Sequence, residues 1–207
     1  MLSLAPDVVF LDGVQRKFVT PLKDAGIKKV YAIEMQSVGD VRTAILSVGA
    51  ALGRPEVAKR VVADLDAALA AETERAQADA AKAGEKPRVL FVVDRRPGGL
   101  SGRVAAGPGT YLDELLQRPR RPTSSATPTA STSSSPPRRS SGAPDVIFDA
   151  AHDATERGIA DWAPLASVPA VANHRVYLLG SSVYVTPGPR LAEALAGLVD
   201  SLWGRKP

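Results

Sequence analysis

One hexapeptide occurs twice in this chain of 207 residues, as Ala5-Pro6-Asp7-Val8-Val9-Phe10 and, nearly unchanged, as Ala143-Pro144-Asp145-Val146-Ile147-Phe148. Each copy opens a short continuous apolar run, the pattern of a strand covered on both faces in a parallel sheet. Each is followed by a second strand carrying Val-Tyr: Val30-Tyr31 after the first copy, Val176-Tyr177 after the second. The spacing from Asp to Tyr is 24 residues in one and 32 in the other, enough for the crossover that parallel strands require. Two α/β lobes with one local plan explain the recurrence better than a single continuous sheet, the alternative being a chance repeat of a strand-opening sequence.

The intervening segments fit two lobes. Pro21–Ala25 ends a short helix with Gly26 as its stop, and Lys29–Ile33 gives the second strand of a βαβ unit. From Asp40, apolar Val41, Ala44, Ile45, Val48, Ala51 and Leu52 fall at helical spacing, and Gly53 and Pro55 close that helix. A second helix starts at Pro55, with Val57, Val61, Leu65 and Leu69 at i+4 steps, then turns alanine-rich and charged through Lys82 up to Gly84. At 1.5 Å per residue it spans ~43 Å, longer than a small domain is wide. Its second half has no broad apolar stripe, so it is either a surface helix sustained by alanine or, the preferred reading, a strut between two lobes. The expected organisation is therefore residues 1–54 as the remaining part of an N-terminal lobe, 55–84 as a bridging helix and 85–207 as a C-terminal lobe. Within the last, Val89–Val93, Asp145–Phe148 and Val176–Leu179 read as strands, Tyr111–Gln117 and Arg190–Trp203 as helices.

The formal charge of +4 invites a nucleic-acid reading until its location is considered. Arg118–Gly142 holds five arginines and no acid among Ser, Thr and Pro, so the other 182 residues sum to −1. That stretch has no interleaved aromatic side chains and no reading motif, which sets nucleic acid aside as a partner. It reads either as a disordered linker or as a frame-shifted segment entered near Arg118 and left by Gly142; neither supplies a buried strand. With no cysteine, only His152 and His174, and no His-Glu-x-x-His, a thiol nucleophile is excluded and a resident metal centre is not expected. No apolar run reaches membrane-spanning length, and Met1 leads into Leu-Ser-Leu-Ala-Pro-Asp without the charged and apolar regions of an export signal.

Candidate chemistry gathers after the strongest strand. Arg95-Arg96-Pro97-Gly98-Gly99-Leu100-Ser101-Gly102 and Gly107-Pro108-Gly109-Thr110 stand at its carboxyl end, where open α/β sheets bind ligands. The loop is neither G-x-G-x-x-G nor a Walker A sequence, so it is either ligand-facing or a flexible loop, with Thr110 capping the next helix. His152, with Asp153 beside it, follows the strand 145–148 and either lines a cleft or sits exposed in a loop. No G-x-S-x-G elbow completes a triad. Trp162, Tyr184 and Tyr111 either stack on a planar or macrocyclic ligand or pack at the core edge. Pro187-Gly188-Pro189-Arg190 is a stiff turn before the last helix, and His174 reads as a turn residue.

In this order and spacing the chain resembles the ABC-transporter substrate-binding proteins of the cobalamin and iron-siderophore type. The resemblance is carried by Ala5-Pro6-Asp7-Val8-Val9, Gly39-Asp40-Val41, Leu52-Gly53, Pro87-Arg88-Val89-Leu90-Phe91, Ala106-Gly107-Pro108-Gly109-Thr110-Tyr111-Leu112-Asp113-Glu114-Leu115-Leu116, the second hexapeptide, Val168-Pro169-Ala170-Val171 with Arg175-Val176-Tyr177, and Pro187-Gly188-Pro189-Arg190-Leu191. It implies two Rossmann-like α/β lobes with parallel sheets bridged by a long α-helix, the first lobe incomplete because family members carry a half-lobe before the Pro-Asp strand. It implies binding rather than catalysis: a monomer, periplasmic or extracellular at the membrane. Such a protein captures a metal chelate such as a corrinoid, a ferric siderophore or haem between its lobes and delivers it to an ABC permease. The Pro-Gly-Pro-Arg-Leu ending leans towards the cobalamin type. Arg95, Arg96, Pro97, Gly98, Ser101, His152, Trp162 and Tyr184 are the implied ligand contacts, and Asp153 and Glu156 the implied permease contacts. The competing reading is a small α/β hydrolase or transferase using the loop 97–110, which needs a nucleophile-base pair or a phosphate loop, and neither is visible.

Overall fold

The computed structural model describes residues 5–84, 86–96, 98–120, 142–151 and 156–203. The first hexapeptide forms β1 (Val8–Asp12), which pairs in parallel with β2 (Lys29–Ile33), Phe10 opposite Tyr31. Between them run a 3-10 turn over Gly13–Phe18, opened by the Asp12 carboxylate accepting from the Val14 N–H at 3.0 Å, and α1 (Val19–Asp24). Gly26 closes α1 at φ +96°, a conformation in which a Cβ is strained. The expectation that β1 is covered on both faces is corrected: Val8–Leu11 are only half-buried, because this sheet is two strands wide among the described residues.

α2 (Val38–Ala51) begins with a reciprocal cap the sequence reading overlooked. Ser37 Oγ accepts from the Asp40 N–H at 3.0 Å and Asp40 Oδ2 accepts from the Ser37 N–H at 2.9 Å, satisfying two otherwise orphaned donors. These bonds also hold the Asp40 carboxyl below its ordinary range. Gly49 of α2 packs directly on Ala58 of α3 (Pro55–Ala83), and a Cβ at position 49 would collide with the Ala58 methyl group. The chain divides into two compact units, Met1–Ala63 and Asp64–Pro207, with the division inside α3.

In the second unit β3 (Val89–Asp94), β4 (Val104–Ala105), β5 (Val146–Asp149) and β6 (Val176–Leu178) form one sheet in the order β4-β3-β5-β6. β3, β5 and β6 are parallel, while β4, which the sequence reading did not foresee inside the glycine-rich loop, lies antiparallel on β3. α4 (Tyr111–Gln117) starts at Thr110, whose side chain accepts from the Asp113 N–H at 3.3 Å. The short helices α5 (Glu156–Ala160) and α6 (Pro169–Ala172) and the amphipathic α7 (Leu191–Trp203) complete the unit. Phe91, Leu115, Ile147, Phe148, Leu191, Leu195 and Leu198 are all but inaccessible to water. Each such side chain contributes about 1.5–3 kcal/mol of burial free energy. Residues 121–141, and with them both readings of the Ser/Pro/Arg stretch, lie outside the described residues. Among the described residues no helix is long and apolar enough to cross a membrane.

Candidate functional site

The carboxyl end of the second unit's sheet is built around one carboxylate. β3 and β5 are adjacent and parallel, Val92 opposite Asp149, so Arg95, the first residue past β3, can reach back with its side chain to Asp149 at the end of β5. Arg95 Nε donates to Asp149 Oδ2 at 2.8 Å, and Arg95 Nη1 donates to Asp161 Oδ2 at 2.7 Å and to the Gly99 carbonyl at 2.9 Å. The Trp162 indole N–H donates to the same Asp149 Oδ2 at 2.9 Å, and the Ala151 N–H to Oδ1 at 3.2 Å.

The side chains of Arg95 and Asp149 are 2% and 0% exposed. Removing two charges from water costs several kcal/mol each, and short charge-assisted hydrogen bonds from several directions are what offset it. Burial works against the Arg95 charge, yet its bonds to Asp149 and Asp161 outweigh that and raise its proton affinity further. Arg95 Nη2 is buried without a hydrogen-bond acceptor among the described residues and lies against Gly158 of α5, where a Cβ would come about 3.0 Å from it. The network therefore ties together the loop after β3, the end of β5 and the segment 161–162, three pieces of chain around one end of the sheet.

This geometry places the residues singled out from the sequence. Arg95 and Trp162, the first named as a ligand contact and the second read as either a ligand contact or a core-edge residue, are both buried, their polar groups engaged by Asp149 and Asp161. Arg96, Gly98 and Ser101 are exposed on the loop, which is closed by the Arg96 N–H donating to the Ser101 carbonyl at 3.1 Å. Gly98 and Gly102 take φ +73° and +66°, the turns that the glycines make possible. Tyr184 sits apart, in a 3-10 turn over Ser182–Tyr184, packed against Gly197 of α7 and lining a cavity of about 540 Å³ with Ile159, Tyr177, Gly180 and Ser181. Burial first, then the Asp200 charge, raise its phenol. The Tyr111 hydroxyl donates to the Tyr184 carbonyl at 3.2 Å, and burial pushes Tyr111 up to about 12. Pro97, His152 and Asp153 lie outside the described residues, as does the side chain of Glu156 at the start of α5.

Asp149 and Asp161 are the site residues that sequence reasoning missed. The available signal was a pair of apolar runs, one ending in Asp94-Arg95 and the other in Asp149: opposite charges at the same ends of two strands, meaningful only once the strands are neighbours.

The periplasmic binding protein family profile matches residues 1–183. The chain belongs to the periplasmic binding protein family. No curated protein matches it in sequence. Among solved structures, a periplasmic heme binding protein from Pseudomonas aeruginosa aligns with TM-score 0.74 at 21% identity, covering 100% of this chain and 75% of the other. The periplasmic vitamin B12 binding protein BtuF of Vibrio cholerae aligns with TM-score 0.64 at 20% identity, covering 97% and 75%. The siderophore binding protein BauB aligns with TM-score 0.63 at 17% identity, covering 99% and 73%. At these identities the likeness is one of fold, an α/β arrangement of parallel sheets, over about three quarters of each solved chain. Periplasmic binding proteins bind solutes rather than transform them, and membership implies a small-molecule ligand and an ABC permease as partner.

Proposed function

We propose that this chain is the solute-binding component of an ABC importer for a metal chelate: a corrinoid, a haem or a ferric siderophore. The observation that carries the reading is the family match over residues 1–183. The ligand class draws on the solved relatives, which include heme, vitamin B12 and siderophore binders. In this reading residues 1–54 and 85–207 are the two lobes, α3 is the backbone helix, and Arg96, Gly98, Ser101 and His152 meet the ligand from the second lobe. The Arg95–Asp149–Trp162 network holds the loop that presents them. Asp153 and Glu156 are the acids that meet the permease.

Titration of the intact chain with haemin, cyanocobalamin and ferrichrome, read by difference absorption, tests this. One of the three is expected to give a saturable 1:1 spectral change, weakened at least fivefold by Arg96→Ala. Failure of all three to bind overturns the reading.

A further inference from the structure

Besides the cavity at Tyr184, the second unit holds one of about 530 Å³ bordered by α5, α6 and the start of β6, a volume in the range of small-molecule sites. Ile159, Trp162, Val171 and Val176 give it apolar walls. Four alanines, Ala160, Ala163, Ala166 and Ala172, leave the space that longer side chains would fill. Its floor is continuous with the core, where Trp162 packs with Val92, Ile147 and Ala170. α6 and the start of β6 lie at the amino end of the parallel strands, whereas the loop 95–102 follows their carboxyl end.

Two features set this cavity apart from ordinary surface. Ile159, a large apolar side chain, is left exposed at its rim. The second is His174. It follows Asn173, the C-cap of α6, and so occupies the position where glycine is usual, at φ +54°. Glycine takes that conformation freely, whereas a side chain is strained in it, so the imidazole is kept at a cost to the fold. No hydrogen bond joins the imidazole to another described residue. The only other polar group of the lining side chains, the Trp162 indole N–H, is already engaged by Asp149.

These walls define a ligand chemistry. Apolar walls take an apolar body. An imidazole offers at least one N–H donor in either protonation state but an acceptor only when neutral, so the group that suits it throughout is an acceptor, above all a carboxylate. No acidic side chain lines the cavity to repel one.

We propose that this cavity is a binding site for a small cyclic carboxylic acid, with the apolar body against Trp162 and the carboxylate on His174. It requires neither the loop 95–102 nor the first unit, and so stands apart from the metal-chelate reading.

The test is a titration of the intact chain with 2-naphthoate, followed in proton–nitrogen correlation spectra. The chain has two tryptophans, Trp162 and Trp203, whose indole N–H signals are told apart with Trp203→Phe. The Trp162 signal is expected to shift and saturate with a Kd of about 1 mM or tighter, as a ligand of this size allows. Ala166→Phe and, separately, Ala172→Leu fill the cavity from exposed positions, and each should weaken binding about tenfold or more while its thermal melt shows a folded chain. His174→Gly suits the backbone conformation and removes the imidazole. It should weaken naphthoate about fivefold or more, and naphthalene, which has no carboxylate, less than about twofold. The proposal fails if the Trp162 signal does not move, if both cavity-filling variants bind naphthoate as the parent chain does, or if His174→Gly affects the two probes alike.

Discussion

The strand pairs β1–β2 and β5–β6 share sequence, direction, register and an aromatic cross-strand contact, yet Phe148 is fully buried while β1 is only half-covered. The difference lies in the neighbours. β5 runs between two strands with α6 packed on it, whereas β1 has one strand partner among the described residues. An apolar run of this kind therefore specifies a strand and its pairing, while the depth of burial is conferred by what surrounds it. The pairs also part company at one aligned position, Leu11 in β1 and Asp149 in β5. A carboxylate is sustainable at the second because Arg95 and Trp162 converge on it; in the first unit a leucine suffices.

The largest effect expected from perturbing this contrast comes from Asp149→Ala. It strands the Arg95 charge in the interior and should destabilise the second unit by about 3–5 kcal/mol in urea unfolding, with Arg95→Met/Asp149→Leu recovering most of the loss. Phe148→Ala should cost a similar ~3–5 kcal/mol, against about 1 kcal/mol for Phe10→Ala. Equal losses at the two phenylalanines would refute the contrast in burial. Trp162→Phe removes one hydrogen bond to a buried carboxylate and should cost about 1.5–3 kcal/mol, seen in the same unfolding curves.

A smaller effect concerns acid. The Arg88 side chain, then its backbone N–H, hold the Asp145 carboxyl well below the usual range. A carboxyl whose folded pKa is depressed contributes stability present above its unfolded pKa, near 4, and lost as pH falls below that value. Asp145→Asn should therefore flatten the acid limb of stability against pH, measured by thermal melts from pH 6 to 2.5. The smallest effect is expected at His174, held at φ +54°: His174→Gly should stabilise by about 0.5–1 kcal/mol, read as a raised midpoint in urea unfolding.

Much of this architecture was legible because punctuation and period agreed. β2 and α4 occupy the residues read from the sequence, and α3 ends one residue past Lys82, since Pro55 and Gly84 bracket a long helical pattern. β4 spans two residues, α6 four and α5 five, too few for any period to register. The site was half-legible for a different reason. Arg95 and Trp162 were recognisable as chemically capable residues, but the direction of a side chain just past a strand depends on the adjacent strand. The partner of Arg95 lies 54 residues away in sequence.

Gly49 carries a consequence for how this sequence can vary. Every amino-acid replacement adds at least one carbon where the Ala58 methyl group already sits, so no substitution there is mild and no single-nucleotide change to another residue spares the seam between α2 and α3. The seam can accept change only in concert, with a glycine at 58 making room for an alanine at 49. Across relatives the two positions should therefore exchange their small residues as a couple, a mark of this packing readable without any structure.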